Sequence, residues 1–93
     1  MEQANFQLID SQFEAIDAIH LISTLYNAKI EYHHRQILKK KEHNEGNFGV
    51  DEERIKGLEK ERNAFVAKAK EALEKNYNLK INGNLTVSFM KQS

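Results

Sequence analysis

The 93-residue chain carries fourteen basic and fourteen acidic side chains, so no net field draws the whole molecule to nucleic acid or to an anionic membrane. It has no cysteine, which excludes a disulfide framework, a thiolate zinc site and a cysteine nucleophile together. Its length fits a single domain, 1–93, and is too short for two independent cores.

The opening MEQANFQLID lacks the basic start and apolar centre of a signal peptide. No apolar run approaches membrane-spanning length, and the lack of cysteine suits a reducing compartment, so a cytoplasmic protein with no membrane attachment is expected. Within this opening, NFQLID alternates imperfectly and predicts a strand over about 5–9. Phe6 and Leu8 would face one side, and Asn5, Gln7 and Ile9 the other. Ser11 followed three residues later by Glu14 has the spacing of a capping box and predicts the start of a helix, over about 12–43.

Along that helix Ala15, Ile19, Ile22, Tyr26, Ile30, His33 and Ile37 recur in steps of three and four, which keeps them on one face. A second stripe, Ala18, Leu21, Leu25, Ala28 and Tyr32, runs beside it, so more than one neighbour is needed to cover the apolar surface. Lysines then gather where they suit the helix dipole, and Asn44, Gly46, Asn47 and Gly49 predict a loop over about 44–50.

Asp51 is placed to cap a second helix, over about 51–76, whose inward positions read Ile55, Leu58, Arg62, Phe65, Ala69 and Leu73. Gly57 interrupts it at a cost of about 1 kcal/mol relative to alanine, and suggests close approach of another backbone. Asn76 or Asn78 is suited to the left-handed conformation that ends a helix. The last segment, LKINGNLTVSFM, predicts a β-hairpin over about 79–90 with Asn82–Gly83–Asn84 as a three-residue loop. That length puts Leu79, Ile81, Leu85 and Val87 on the same side, which a two-residue loop would not.

The expected fold is therefore α+β and mostly helical, in the order β-α-α-β-β. A long antiparallel two-helix hairpin of coiled-coil character is braced by a short N-terminal strand and the C-terminal β-hairpin. The apolar residues concentrate at the open end of the hairpin and the charges at its loop end. Such a chain buries few large side chains for each residue it orders, and its doubled stripe and open sheet edges point to a partner surface.

Candidate chemistry is sparse. Glu31 and His34 lie three apart and project from nearly the same helical face, with Glu59 or Glu61 within reach across a hairpin folded about residue 47. This Glu-x-x-His spacing resembles the half-motif of ferritin-like di-iron proteins, and the resemblance, which covers two residues, implies a metal bound between helices or subunits. The competing and favoured reading is a solvated face with an i,i+4 pair between Glu31 and Arg35. The basic stretch from Arg35 through Lys39, Lys40 and Lys41, preceded by aromatic Tyr32, has the ingredients of phosphate contact, offset by Asp51, Glu52 and Glu53 at the same end. Phe48 in the loop either covers Ile37 and Ile55 or stands out as an anchor for a partner.

No phosphate loop, nucleophile elbow or convergent acid–base set is present in the sequence, and no cofactor is implied. The leading expectation is a small non-enzymatic interaction or assembly module. It would associate with itself, as a homodimer, or with a protein partner through the first helix and the sheet, with Leu21, Leu25, Tyr32 and Phe48 as contact residues. Metal binding through Glu31 and His34 and nucleic-acid binding through Arg35 to Lys41 stand as alternatives.

Overall fold

The structure, a computed structural model, describes residues 2–44 and 46–92. Strand β1 (Gln3–Phe13) leads into helix α1 (Ala15–Glu42), helix α2 (Gly49–Glu74) runs back beside it, and strand β2 (Leu79–Ser88) pairs antiparallel with β1. The order is β-α-α-β, with two strands where the β-hairpin reading gave three.

Residues 82–84 run straight through β2 and do not turn. Asn82 faces Asp10, Gly83 faces Ile9 and Asn84 faces Gln7. None of the three has a positive φ, which this loop type usually demands. The reason lies at the other end of the chain: β1 is eleven residues long, not five, and offers a partner to every residue of β2. The same pairing overrides the capping box. Ser11 lies in the ladder opposite Ile81, and α1 begins at Ala15 after an extended Glu14, whose side chain makes no capping hydrogen bond.

One irregularity decides which side chains share a face. Gln7 faces Asn84 and Ile9 faces Gly83, so Leu8 is the extra residue of a bulge. In a regular strand Phe6 and Ile9, three apart, would point to opposite sides. The bulge resets the alternation and puts Phe6 on the side of Ile9, a correction to the simple alternation read over 5–9. One face of the two-stranded ribbon is thereby mostly apolar: Phe13 faces Leu79, Phe6 faces Leu85 and Ala4 faces Val87, and between them Ile81 lies opposite Ser11 and Ile9 opposite Gly83. The opposite face is polar and cross-linked, by Lys80 Nζ to Asp10 Oδ1 at 2.7 Å, Thr86 Oγ1 to Asn5 Oδ1 at 3.0 Å and Gln3 Nε2 to Ser88 Oγ at 3.3 Å. The Lys80 hydrogen bond and charge hold the Asp10 carboxyl below its ordinary value.

The helices end as their asparagines suggest. Asn76 has φ 59°, with Tyr77 N–H donating to the Ala72 carbonyl and Asn76 N–H to that of Leu73, the Schellman pattern. Asn44 has φ 54° at the end of α1. Between the helices the main core is Ile30, Ile55 and Leu58, with Tyr26 and Ile37 packed on it, and towards the open end Ala15, Ala18, Ala69 and Ala72 fill the seam. Arg62 Nη1 bridges the seam to Asn27 Oδ1 at 2.7 Å. Burial in the last turn of α2 falls on Ala72, whereas Leu73, an inward position in the sequence reading, is exposed. Apart from the adjoining backbone of α2 and the flanking residues, nothing lies within 4 Å of where a side chain on Gly57 would begin, so this glycine does not serve close approach of another backbone.

The ribbon and the helical hairpin each hold together well but touch one another sparingly. The result is a flat plate of 50 × 32 × 14 Å.

Candidate functional site

Two regions stand out: the apolar face at the open end and a polar latch near the loop. α1 lies along only part of the ribbon. Phe13, Ile9, Leu79 and Ile81, on the half near the helix, are half-buried, and a groove of about 280 Å³ runs between Leu8, Ile9 and Ile81 of the ribbon and Ile22, Leu25 and Tyr26 of α1. The far half overhangs. Phe6 is 56% exposed, Leu85 47% and Phe89 56%. On the helices Ile16, Leu25 and Leu73 are exposed as well, and so is Tyr77 in the connection after α2. Scattered apolar exposure is ordinary, but a continuous run on one sheet face is not. Leu21 and Leu25, two of the expected contact residues, border this region together with Leu8, Ile9 and Phe13.

At the other end Asp51, in the first turn of α2, is only 6% exposed and accepts two hydrogen bonds from α1. His33 Nδ1 lies 2.9 Å from Oδ1 and Lys40 Nζ 2.7 Å from Oδ2. His33 and Lys40 are seven apart, two helical turns on one face, which is why a single carboxylate reaches both. A buried charge is tolerated only when paired and hydrogen-bonded, and Asp51 meets both conditions. The sequence reading gave Asp51 the role of a cap on its own helix. It is a strut to the neighbouring one, and α2 starts two residues earlier, at Gly49.

The Lys40 and then the His33 hydrogen bonds hold the Asp51 carboxyl below its ordinary value of 3.8. A carboxylate whose folded pKa is depressed adds stability that is fully present above the unfolded value and is lost as the pH falls through the folded one. Asp51→Asn should therefore lower the melting temperature at pH 7, and the gap to the parent should shrink as the pH is lowered below about 4. Melting curves from pH 7 to pH 2 check this, and a gap that does not change with pH would contradict it.

The remaining sequence candidates are dispersed. Glu31 pairs with Arg35 at 3.2 Å on an exposed face, as the i,i+4 reading expects. His34 and Glu59 border one groove, with Glu52, Lys56 and Phe48, while Glu61 borders another with His33, Lys29 and Arg54. Glu61 also approaches Tyr26, whose hydroxyl pKa is raised by burial and then by that carboxylate. Among the described residues no three carboxylate or imidazole groups gather as a metal would need.

The basic stretch is partly engaged. Arg35 is held by Glu31, Lys40 by Asp51, and Lys41 Nζ sits 5.3 Å from the centre of the Phe48 ring. Lys39 is exposed. Phe48 is half-buried and borders a groove with Ile37 and Ile55, while Tyr32 is half exposed with its ring edge-on to His33. Among the described residues no helix is long and apolar enough to cross a membrane.

Comparison with protein-family models, curated proteins and solved structures found no match. What sequence reasoning missed is the overhanging face itself, Phe6, Leu85, Val87 and Phe89. Its signal was the alternation of LTVSF, which the hairpin reading used only to choose a loop length.

Proposed function

We propose that the chain is a cytoplasmic, non-enzymatic assembly module that works as a homodimer through α1 and the apolar face of the ribbon. The observation that carries this reading is the amount of surface. A compact protein of 10.8 kDa exposes about 5,500 Å², whereas this chain exposes 7668 Å². The excess, about 2,000 Å² for each copy, falls in the range that obligate dimers remove from solvent.

Shape supports it. A compact chain of this length has a radius of gyration of about 12 Å, against 16.9 Å here. Among the described residues the buried large apolar side chains are Ile30, Ile55 and Leu58, which is little to set against the entropy of ordering the whole chain. A second copy supplies the missing cover without any new element, and two-fold pairing is the commonest way a small soluble chain does so.

Light scattering on a sizing column, over a hundredfold range of loading concentration, tests the reading. The expected result is twice the 10.8 kDa chain mass at the upper end. A folded, monodisperse monomer throughout would overturn it.

A further inference from the structure

The open edge of β2 specifies how the two copies meet, an inference that rests on the homodimer reading. Phe89 N–H donates to the Glu2 carbonyl at 3.0 Å, continuing the register in which Ser88 faces Gln3. In an antiparallel ladder, residues bonded to the neighbouring strand alternate with residues whose N–H and C=O point away from it. Stepping back by two from Phe89, the odd-numbered residues of β2 bond to β1. The backbone groups of Lys80, Asn82, Asn84, Thr86 and Ser88 therefore point to the open edge.

Proteins blunt such edges with charges, prolines or bulges. β1 carries a bulge at Leu8. β2 is ten regular residues without proline, and its one charged side chain, Lys80, is already held by Asp10 at 2.7 Å. Of the two edges it is the one left able to pair.

We propose that two copies join β2 to β2 antiparallel, centred near Asn84, into a four-stranded sheet ordered β1-β2-β2-β1. The two-fold axis then stands perpendicular to the sheet, so the apolar faces of both ribbons lie on the same side, and so do both helical hairpins. Each overhang, with Phe6, Leu85, Val87 and Phe89, is carried towards the helices of the other copy, whose exposed Ile16 and Leu25 need cover. Lys80 of one copy falls opposite Ser88 of the other, which keeps the two lysines apart. The outcome is a two-layer sandwich, the smallest arrangement that buries one face of a sheet.

Amide hydrogen exchange followed by NMR on the wild-type dimer reads this directly. The amides of Asn82, Asn84 and Thr86 have no acceptor within their own ribbon, so protection of about 100-fold or more is expected only if another strand supplies one. A dimer in which these three exchange freely while Leu85 and Val87 stay protected would overturn the edge pairing and leave the homodimer reading standing. A monomer would overturn both. Thr86→Pro provides the second measurement, because it deletes an outward-pointing donor and leaves the bonds of Leu85 and Val87 to β1 in place. Loss of the dimer with those two amides still protected is expected, and an undiminished dimer would count against the pairing.

Discussion

Phe6→Asp is expected to raise the dimer dissociation constant by about 10²- to 10⁴-fold, since burying a phenylalanine is worth about 1.5–3 kcal/mol and two-fold symmetry counts the loss twice. The measurement is sedimentation velocity over a dilution series, with far-UV circular dichroism to follow the fold. What makes the substitution informative is its position. Phe6 is 56% exposed and sits opposite Leu85 on the overhanging half of the ribbon, where α1 does not reach. In an isolated chain an exposed side chain of this kind changes stability by no more than about 0.5 kcal/mol. The two cases therefore differ by several kcal/mol at one residue. An unchanged association constant would show that the overhang stays in water and would remove the main support for assembly. Asn5→Asp, on the polar face one residue away, is the matched comparison: it adds the same charge and is expected to leave the dimer nearly intact.

Much of this architecture is legible in the sequence, for reasons that differ from element to element. The helices announce themselves through a 3.6-residue period sustained over six apolar positions and His33 of α1 and through Asn44 and Asn76, whose side chains tolerate positive φ. The strands are harder because their partners lie at opposite ends of the chain. Asn82–Gly83–Asn84 looks like a loop to any local reading. A three-residue loop and an uninterrupted strand also leave Leu79, Ile81, Leu85 and Val87 on the same side, so the facing of these residues cannot separate the two. Only the presence of β1 as a longer partner decides the matter. The bulge at Leu8 is hidden in the same way, since one extra residue shifts the phase without altering composition.

The polar sites were legible only in part. Glu31 with Arg35 follows from helical spacing alone, and the inward direction of His33 follows from the apolar stripe. Asp51 could not be assigned from its own helix. Its acidic character at the start of α2 satisfies the dipole equally well whether the carboxylate caps that helix or crosses to Lys40 and His33, and the choice depends on how closely the helices approach.

Leu58→Ala is expected to lower the melting temperature by about 12–24 °C. Truncating a buried leucine costs about 2–5 kcal/mol, and about 3 kcal/mol is a reasonable middle value for a seam that is able to close in part. For a chain of this length each kcal/mol corresponds to about 4–8 °C. A cooperatively melting dimer loses twice the energy against about twice the entropy of unfolding, so the shift stays in the same range. Leu58 is 8% exposed and shares the seam with Ile30 and Ile55, and among the described residues no other large apolar side chain is as well covered. Leu38→Ala, at a position 59% exposed on α1, should fall within about 2–4 °C of the parent, the equivalent of about 0.5 kcal/mol. Differential scanning fluorimetry at two protein concentrations separates this effect from assembly. Leu58 lies between the helices of one copy, so the loss should appear at both concentrations, whereas the deficit from Phe6→Asp should shrink as concentration rises and mass action restores the dimer. Equal melting temperatures for Leu58→Ala and the parent would mean that stability resides in the ribbon and its partner copy and not in the helical seam.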